Sequence, residues 1–229
     1  AIIAFYAINK IGAISNMIHP LSGENEIKHF SNVSKSNYIV TIDFAFNKVN
    51  SIIEDTKIKK AITVSVGDSM PIHMQAIYQA TKGSKVRMTK SDIRITWRDF
   101  IKLGYSYTKE IDDDFRGKET AAILYSGGTT GTPKGVKLTN LNLNASAMQN
   151  FEHVGCLKAK DKVLAIMPIF HGFGLSVCIH CVQYFGGESI LLPQFNAKTF
   201  DKLLKKYEPN VLVGVPTLFE AITNNKNFN

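Results

Sequence analysis

The chain has few cysteines and no long apolar run, and each scarcity excludes a class of protein. Three cysteines in 229 residues are too few, and odd in number, for a disulfide framework. They indicate a reducing compartment, so we expect a cytoplasmic protein. No segment stays apolar over the roughly 18 residues that a membrane-spanning helix needs, and no membrane span is predicted. Low-complexity segments and repeats of about 20 to 50 residues are also absent from the sequence.

The chain is basic, but its positive charge is spread along the sequence. Lysine and arginine number 27 against 19 acidic residues, which gives a formal net charge of +8. The densest clusters are pairs such as Lys59–Lys60 and Lys205–Lys206. A nucleic-acid-binding protein more often concentrates this charge in a patch or a known motif. We therefore expect no nucleic acid among the partners.

Short apolar runs alternate with helical patterns along most of the chain. Several strands followed by helices predict βαβ units and a mostly parallel sheet. The expected fold class is α/β, with layered sub-domains of mostly parallel β-sheet flanked by helices. The clearest predicted strands are residues 38–42, 61–66, 121–125, 163–167, 189–192 and 211–215.

Residues 82–117 interrupt this alternation. The segment is polar, ends in three consecutive aspartates, and holds one short amphipathic stretch over 97–103. We predict a first sub-domain over 1–117, with a linker at about 82–117, and a second sub-domain over 118–229. The chain begins without Met and ends within an unfinished strand-helix series, so we expect a fragment of a longer protein.

The strongest chemical signal lies in eleven residues between a predicted buried strand and a predicted helix. They read Tyr125-Ser126-Gly127-Gly128-Thr129-Thr130-Gly131-Thr132-Pro133-Lys134-Gly135. Three glycines within five residues permit positive φ angles and a close approach of ligand. Consecutive backbone N–H groups in such a turn form an anion-binding concavity. The alternative is a plain surface turn, but ordinary turns rarely need so many Gly, Ser and Thr residues. The predicted polyphosphate site comprises Ser126, Gly127, Gly128, Thr129, Thr130, Gly131, Thr132 and Lys134.

This segment resembles the phosphate-binding signature of the adenylate-forming enzymes, namely acyl- and aryl-CoA synthetases, luciferases and peptide-synthetase adenylation domains. The usual signature is Tyr-Thr-Ser-Gly-Thr-Thr-Gly-x-Pro-Lys-Gly, from which Ser126 and Gly127 depart. A Gly-Gly version also occurs among fatty acyl-CoA synthetases. Residues 82–117 match weakly, and Gln194 stands where many relatives have Lys. Further similarity lies in residues 7–13, 19–21, 138–142, 167–174 and 216–217.

The resemblance implies the N-terminal part of an acid–CoA ligase. Such an enzyme activates a carboxylic acid with Mg-ATP to an acyl-adenylate and transfers the acyl group to coenzyme A. Fatty and aryl acids both fit the resemblance, and the Gly-Gly version of the loop favours a fatty acid. Implied co-substrates and cofactors are therefore ATP, Mg²⁺ and coenzyme A. The adenylation lysine and the C-terminal domain lie outside the chain, so no catalytic residue is assigned and the chain alone is expected to be inactive. Two alternatives stay open: a peptide-synthetase adenylation domain that loads a carrier-protein thiol, and a non-catalytic nucleotide-binding module.

Two further segments contain side chains with chemical potential. His171 follows a predicted buried strand in a Gly-rich turn, at the sheet edge where open α/β folds bind ligands. The resemblance places His171 and Phe173 in the pocket for the carboxylic acid. Cys178 and Cys181 have the spacing of redox and zinc sites. No second ligand pair follows them and the stretch is apolar, so we predict a packing role and no metal site.

Overall fold

The protein is described by a computed structural model covering residues 1–81, 83, 86, 88–111, 117–127, 133–192 and 195–225. The chain divides into two units, Ala1–Asp114 and Phe115–Asn229. Each unit has its own parallel sheet and its own buried cluster of apolar side chains.

The first unit is built on a parallel sheet of three strands in the order β2-β3-β4. Ala61 of the central strand is fully buried together with Ile27, Phe46 and Val49 from the helices that cover it. The unit contains β1 (Ser15–Met17), β2 (Tyr38–Ile42), β3 (Lys60–Val64) and β4 (Arg94–Thr96), with α1 (Ile2–Lys10), α2 (Glu24–Val33), α3 (Phe46–Ser51), α4 (Ile72–Thr81) and α5 (Trp97–Tyr105).

The segment predicted as a linker contributes a strand and a helix to this unit. Strand β4 pairs with β3 in parallel, from Ala61 against Arg94 to Thr63 against Thr96. Thr96 then begins α5, and its hydroxyl accepts a hydrogen bond from the Asp99 backbone N–H at 3.2 Å. A three-residue strand that starts with arginine has too short an apolar run to stand out in a polar segment.

The second unit joins an antiparallel hairpin to a second parallel sheet. Strands β5 and β6 pair antiparallel, whereas β7 lies between β8 and β9 and is parallel to both. The elements are β5 (Thr120–Ser126), β6 (Lys134–Thr139), α6 (Asn140–Val154), β7 (Lys162–Ala165), α7 (Cys181–Tyr184), β8 (Glu188–Leu191), α8 (Phe200–Tyr207), β9 (Val211–Leu212) and α9 (Pro216–Thr223).

Helices cover both faces of the second parallel sheet. Adjacent residues of a strand point to opposite faces, and Val163 and Leu164 of β7 accordingly enter two different cores. Val163 packs with Ala147, Val182 and other residues of the α6–α7 side. Leu164 packs with Phe200, Leu218 and their neighbours from α8 and α9. Layers of helices on a mainly parallel sheet confirm the predicted α/β class.

Two features of this unit differ from the sequence-based expectation. Residues 126–134 were expected to join a strand to a helix, but they join two antiparallel strands, because 134–139 forms β6 before α6 begins. The apolar stretch around Cys178 and Cys181, whose composition suits an α-helix, is instead a π-helical segment, Gly174–His180, followed directly by α7. In the π segment the Cys181 N–H donates to the Ser176 carbonyl, five residues back.

No helix within the described ranges combines the length and the apolar character needed to cross a membrane.

Candidate functional site

The β5–β6 hairpin places the two ends of the predicted phosphate loop opposite each other. Ser126 pairs with Lys134 at the open end, and Tyr125 pairs with Gly135. Strand β5 is buried from Ala121 to Leu124 and becomes exposed at Ser126. Lys134 is also exposed. The hairpin therefore holds Ser126 and Lys134 opposite each other and presents one hydroxyl and one ammonium group at its open end, which we call the rim.

Gly127 occupies open space at the start of this loop. A Cβ atom added there would meet no atom within 4 Å. The φ angle of Gly127 is not positive, so the conformational freedom expected of this glycine is not used at this position. The remaining reason for a glycine here is that a ligand can approach the backbone closely where there is no side chain. The other predicted contacts, Gly128, Thr129, Thr130, Gly131 and Thr132, lie outside the described residues.

The predicted acid-binding turn follows the carboxyl end of β7. Two backbone hydrogen bonds shape it: the His171 N–H donates to the Pro168 carbonyl at 3.1 Å, and the Leu175 N–H donates to the His171 carbonyl at 2.9 Å. His171 is exposed and Phe173 is partly buried. His171 thus lies exposed in the segment that follows β7, and its role in binding the acid stays a prediction.

The imidazole of His171 is oriented by its own turn. The Phe173 backbone N–H donates to His171 Nδ1 at 3.3 Å. Because Nδ1 accepts this bond, the proton of the neutral ring resides on Nε2. The exposed ring therefore offers an N–H donor, which suits a carboxylate or phosphate oxygen.

Two glycines tie this turn to its surroundings. A Cβ atom added at Gly172 would lie 3.5 Å from Leu124 Cδ1, so the turn packs against β5 two residues before Ser126. A Cβ atom at Gly174 would overlap the carbonyl group of Pro168 and lie 2.7 Å from the Met167 carbonyl oxygen. Gly174 is therefore required by the close approach of two backbone segments. The hairpin and the turn are direct neighbours.

Helix α6 begins where the hairpin ends, and a capping box fixes its first turn. The Thr139 hydroxyl accepts from the Asn142 N–H at 3.1 Å, and Asn142 Oδ1 accepts from the Thr139 N–H at 3.0 Å. The Asn140 N–H donates to the Glu119 carbonyl beside the start of β5. This cap gives residues 138–142, which resemble a family motif, a role inside the fold. Thr with a polar residue three positions later is a capping signal that the sequence itself shows.

A row of polar contacts, which no sequence motif predicts, joins α6 to the π-helical segment. The hydroxyls of Ser146 and Ser176 lie 2.8 Å apart, and His180 Nε2 lies 2.8 Å from Asn144 Oδ1. Burial lowers the pKa of His180, because a desolvated imidazolium is unfavourable. The pairs are about thirty residues or more apart in sequence, so no local spacing reveals them.

The Cys178 and Cys181 side chains are buried in the same helical segment. Their exposed fractions are 0% and 2%. Burial raises the pKa of both thiols, since the thiolate would lose its solvation. The Cys181 thiol donates to the Ala147 carbonyl at 3.4 Å. In the part of the chain that the structure describes, no three His, Cys, Asp or Glu residues group in a way that could hold a metal ion.

Residues 1–229 match the family described as AMP-binding enzyme. The chain belongs to that family. The membership confirms the resemblance to adenylate-forming enzymes that the loop predicted.

Among curated relatives, the long-chain-fatty-acid–CoA ligase of Bacillus subtilis is 28% identical over 95% of this chain. The match covers 40% of that ligase, so the chain spans about two fifths of the length of such relatives.

Solved structures of CoA ligases share the fold. A long-chain-fatty-acid-CoA ligase from Archaeoglobus fulgidus aligns with a TM-score of 0.70 and 22% identity, over 97% of this chain and 39% of the ligase. An anthranilate CoA ligase in complex with anthranoyl-AMP aligns with a TM-score of 0.78 and 19% identity, over 98% of this chain and 39% of the ligase.

Proposed function

We propose that this chain is part of an AMP-forming acid–CoA ligase and carries its phosphate-binding loop and one wall of its acid pocket. The observation that supports this most directly is the contact between hairpin and turn. Gly172 packs against Leu124, so the exposed rim of Ser126 and Lys134 lies on the same part of the second unit as His171. Phosphate-binding and carboxylate-binding groups must be neighbours if a carboxylate is to react with ATP.

In the proposed reaction, the carboxylate attacks the α-phosphate of ATP, the bond to the leaving pyrophosphate breaks, and an acyl-adenylate forms. The thiol of coenzyme A then takes the acyl group and releases AMP. Lys134 and the loop that starts at Ser126 hold the β- and γ-phosphates. Their benefit grows as negative charge moves to the leaving oxygens, so they act mainly on the first step.

The side chains at the hairpin rim fit a polyphosphate better than a bare metal ion. Lys134 brings positive charge, Ser126 a hydroxyl, and Gly127 open backbone. Mg²⁺ commonly binds through substrate phosphates with only one or two protein carboxylates. We therefore propose that Mg²⁺ arrives with ATP and is held largely by phosphate oxygens.

We assign the acid to the fatty acids, on two grounds. The Gly127-Gly128 pair matches the version of the loop found among fatty acyl-CoA synthetases, and the Bacillus relative is by name a long-chain-fatty-acid–CoA ligase. The relatives named above are CoA ligases, which favours coenzyme A over a carrier-protein thiol as the acceptor.

The test uses the whole product of the gene that encodes these residues. It should form acyl-CoA, AMP and pyrophosphate from ATP, coenzyme A and a long-chain fatty acid. In a panel of fatty and aromatic acids, a long-chain fatty acid should give the highest kcat/KM. Turnover of aromatic acids alone would refute the substrate class, and ATP binding without turnover of any acid would favour a non-catalytic nucleotide-binding module.

A matched pair of variants tests the role of the loop. Lys134→Ala should slow pyrophosphate formation by about 10- to 150-fold, because a charge-assisted bond to phosphate contributes about 1.5–3 kcal/mol. Thioester formation from pre-made acyl-adenylate should change much less. The control is Lys137→Ala: Lys137 lies exposed on the same strand, three residues further from the rim and on the opposite face. Equal losses in both variants, or a loss confined to thioester formation, would mean that the phosphates are misplaced.

A further inference from the structure

The π-helical segment after the His171 turn is fixed to α6 by side-chain hydroxyls. Ser146 and Ser176 are both partly buried, and their oxygens lie 2.8 Å apart. Four residues further along the π segment, His180 makes the second polar contact, to Asn144. Residues four apart lie on one helix face, so a single face of the π segment carries both contacts to α6.

The turn that precedes the π segment contacts the hairpin. Gly172, four residues before Ser176, packs against Leu124 of β5. Helix α6 itself is fixed to the hairpin by the Thr139 capping box and by the bond from the Asn140 N–H to the Glu119 carbonyl. A continuous set of contacts therefore runs from the base of the phosphate loop through α6 and the π segment to the His171 turn.

A pair of hydroxyls can fix the position of the π segment along α6. An apolar contact tolerates small sliding movements, whereas a hydrogen bond loses strength steeply when its geometry changes. The π segment also has a less common hydrogen-bonding pattern than the α-helix that follows it, so its register needs support from outside. Ser146 supplies this support at Ser176, the residue whose carbonyl accepts from Cys181.

We propose that Ser146 and Ser176 are positioning residues: their hydrogen bond sets the place of the His171 turn relative to the phosphate loop, and hence the alignment of the carboxylate with ATP. This inference rests on the proposed acid–CoA ligase activity. Neither serine is proposed to touch a substrate. Both act through the backbone of the π segment.

The experiment measures adenylation kinetics in the whole gene product carrying Ser146→Ala, Ser176→Ala or both. Each single variant should lower kcat/KM for the fatty acid by about 3- to 10-fold, the range that loss of one hydrogen bond accounts for. The KM for ATP should stay within about twofold, because the hairpin itself is intact. Both changes remove the Ser146–Ser176 bond, and Ser146→Ala also removes the weaker bond that Asn150 Nδ2 donates to Ser146 Oγ at 3.4 Å. The double variant should therefore be no worse than Ser146→Ala alone. Ser176→Thr, which keeps a hydroxyl, should restore part of the loss.

The control is Ser36→Ala in the first unit. Ser36 is also partly buried; its hydroxyl pairs with the Ser34 hydroxyl at 2.7 Å and accepts from Asn16 Nδ2 at 3.3 Å, so like Ser146 it has two side-chain partners. Its loss should lower the thermal midpoint by a similar amount and leave kcat/KM for the acid unchanged. If the Ser146 and Ser176 variants behave like this control, the pair is merely structural and the inference is wrong. If the unsubstituted enzyme forms no acyl-CoA, the proposed function itself has failed, which is a separate outcome.

Discussion

Gly174→Ala is the substitution for which the structure gives the sharpest expectation. The added methyl group would overlap the Pro168 carbonyl and lie 2.7 Å from the Met167 carbonyl oxygen. Both obstacles are backbone groups, so no side chain can rotate out of the way. The backbone of the turn must shift instead, and the turn carries His171.

Two effects of opposite sign set the size of the change. Forcing extra atoms into a packed region typically costs about 1–3 kcal/mol. Replacing glycine by alanine within a helix raises the free energy of unfolding by about 0.5–1 kcal/mol. The clash dominates, and we expect the free energy of unfolding of the 229-residue chain to fall by about 1–2 kcal/mol. In a chain of this size that corresponds to a Tm lower by about 2–8 °C.

The matched control lies two residues away in the same turn. At Gly172 the nearest atom to an added Cβ is Leu124 Cδ1 at 3.5 Å, an ordinary contact with the end of a flexible side chain. Gly172→Ala should leave the free energy of unfolding within about 0.5 kcal/mol of the parent value. Urea denaturation of the two variants and the parent gives the comparison. Equal stability of the two variants would refute the close-approach argument, and so would a more stable Gly174→Ala variant.

Two further predictions concern α6 and the thiols. Thr139→Ala should lower the free energy of unfolding by about 1 kcal/mol because it removes the α6 cap. Thr199 is the N-cap residue of α8 but makes no capping bond, so Thr199→Ala should lower the free energy of unfolding by less in the same urea titration. Equal losses in the two variants would contradict this. In the native protein a thiol reagent should label only Cys156, which is exposed. Cys178 and Cys181 should react only after denaturation, because burial shields both thiols from the reagent and raises their pKa. Rapid labelling of two or more thiols in the native protein would contradict the burial.

Local signals in the sequence were enough for most of the parallel sheets. Strand β2 was predicted over 38–42 and lies there, because its five residues are all β-branched or aromatic and such residues favour a strand. Pro216 begins α9 because its ring fixes φ for a first helical turn, which is a signal that the sequence shows directly. The turn after β7 was also predictable, because a buried strand followed by glycines defines the carboxyl edge of a sheet.

The misses share a physical cause, which is that the deciding contacts are long-range. Strand β6 contains two lysines and a glycine and has no buried residue, so its sequence carries no strand pattern. It is a strand because β5 offers it a partner. The π segment has the same apolar composition as an α-helix, and only its hydrogen bonds distinguish the two. The contact between Ser146 and Ser176 requires the fold to bring α6 and that segment together.

The structure divides the family motifs of the second unit into two kinds of residue. Gly174 and Thr139 have roles inside the fold: one permits a close backbone approach and the other caps a helix. Ser126 and Lys134 lie exposed at the hairpin rim. A residue of the first kind should change stability when it is substituted, whereas one of the second kind should change kinetics at nearly constant stability. Unfolding and kinetic measurements on the same variants therefore separate fold-maintaining motif residues from ligand-binding ones, and the phosphate-site proposal requires Lys134 to fall in the second group.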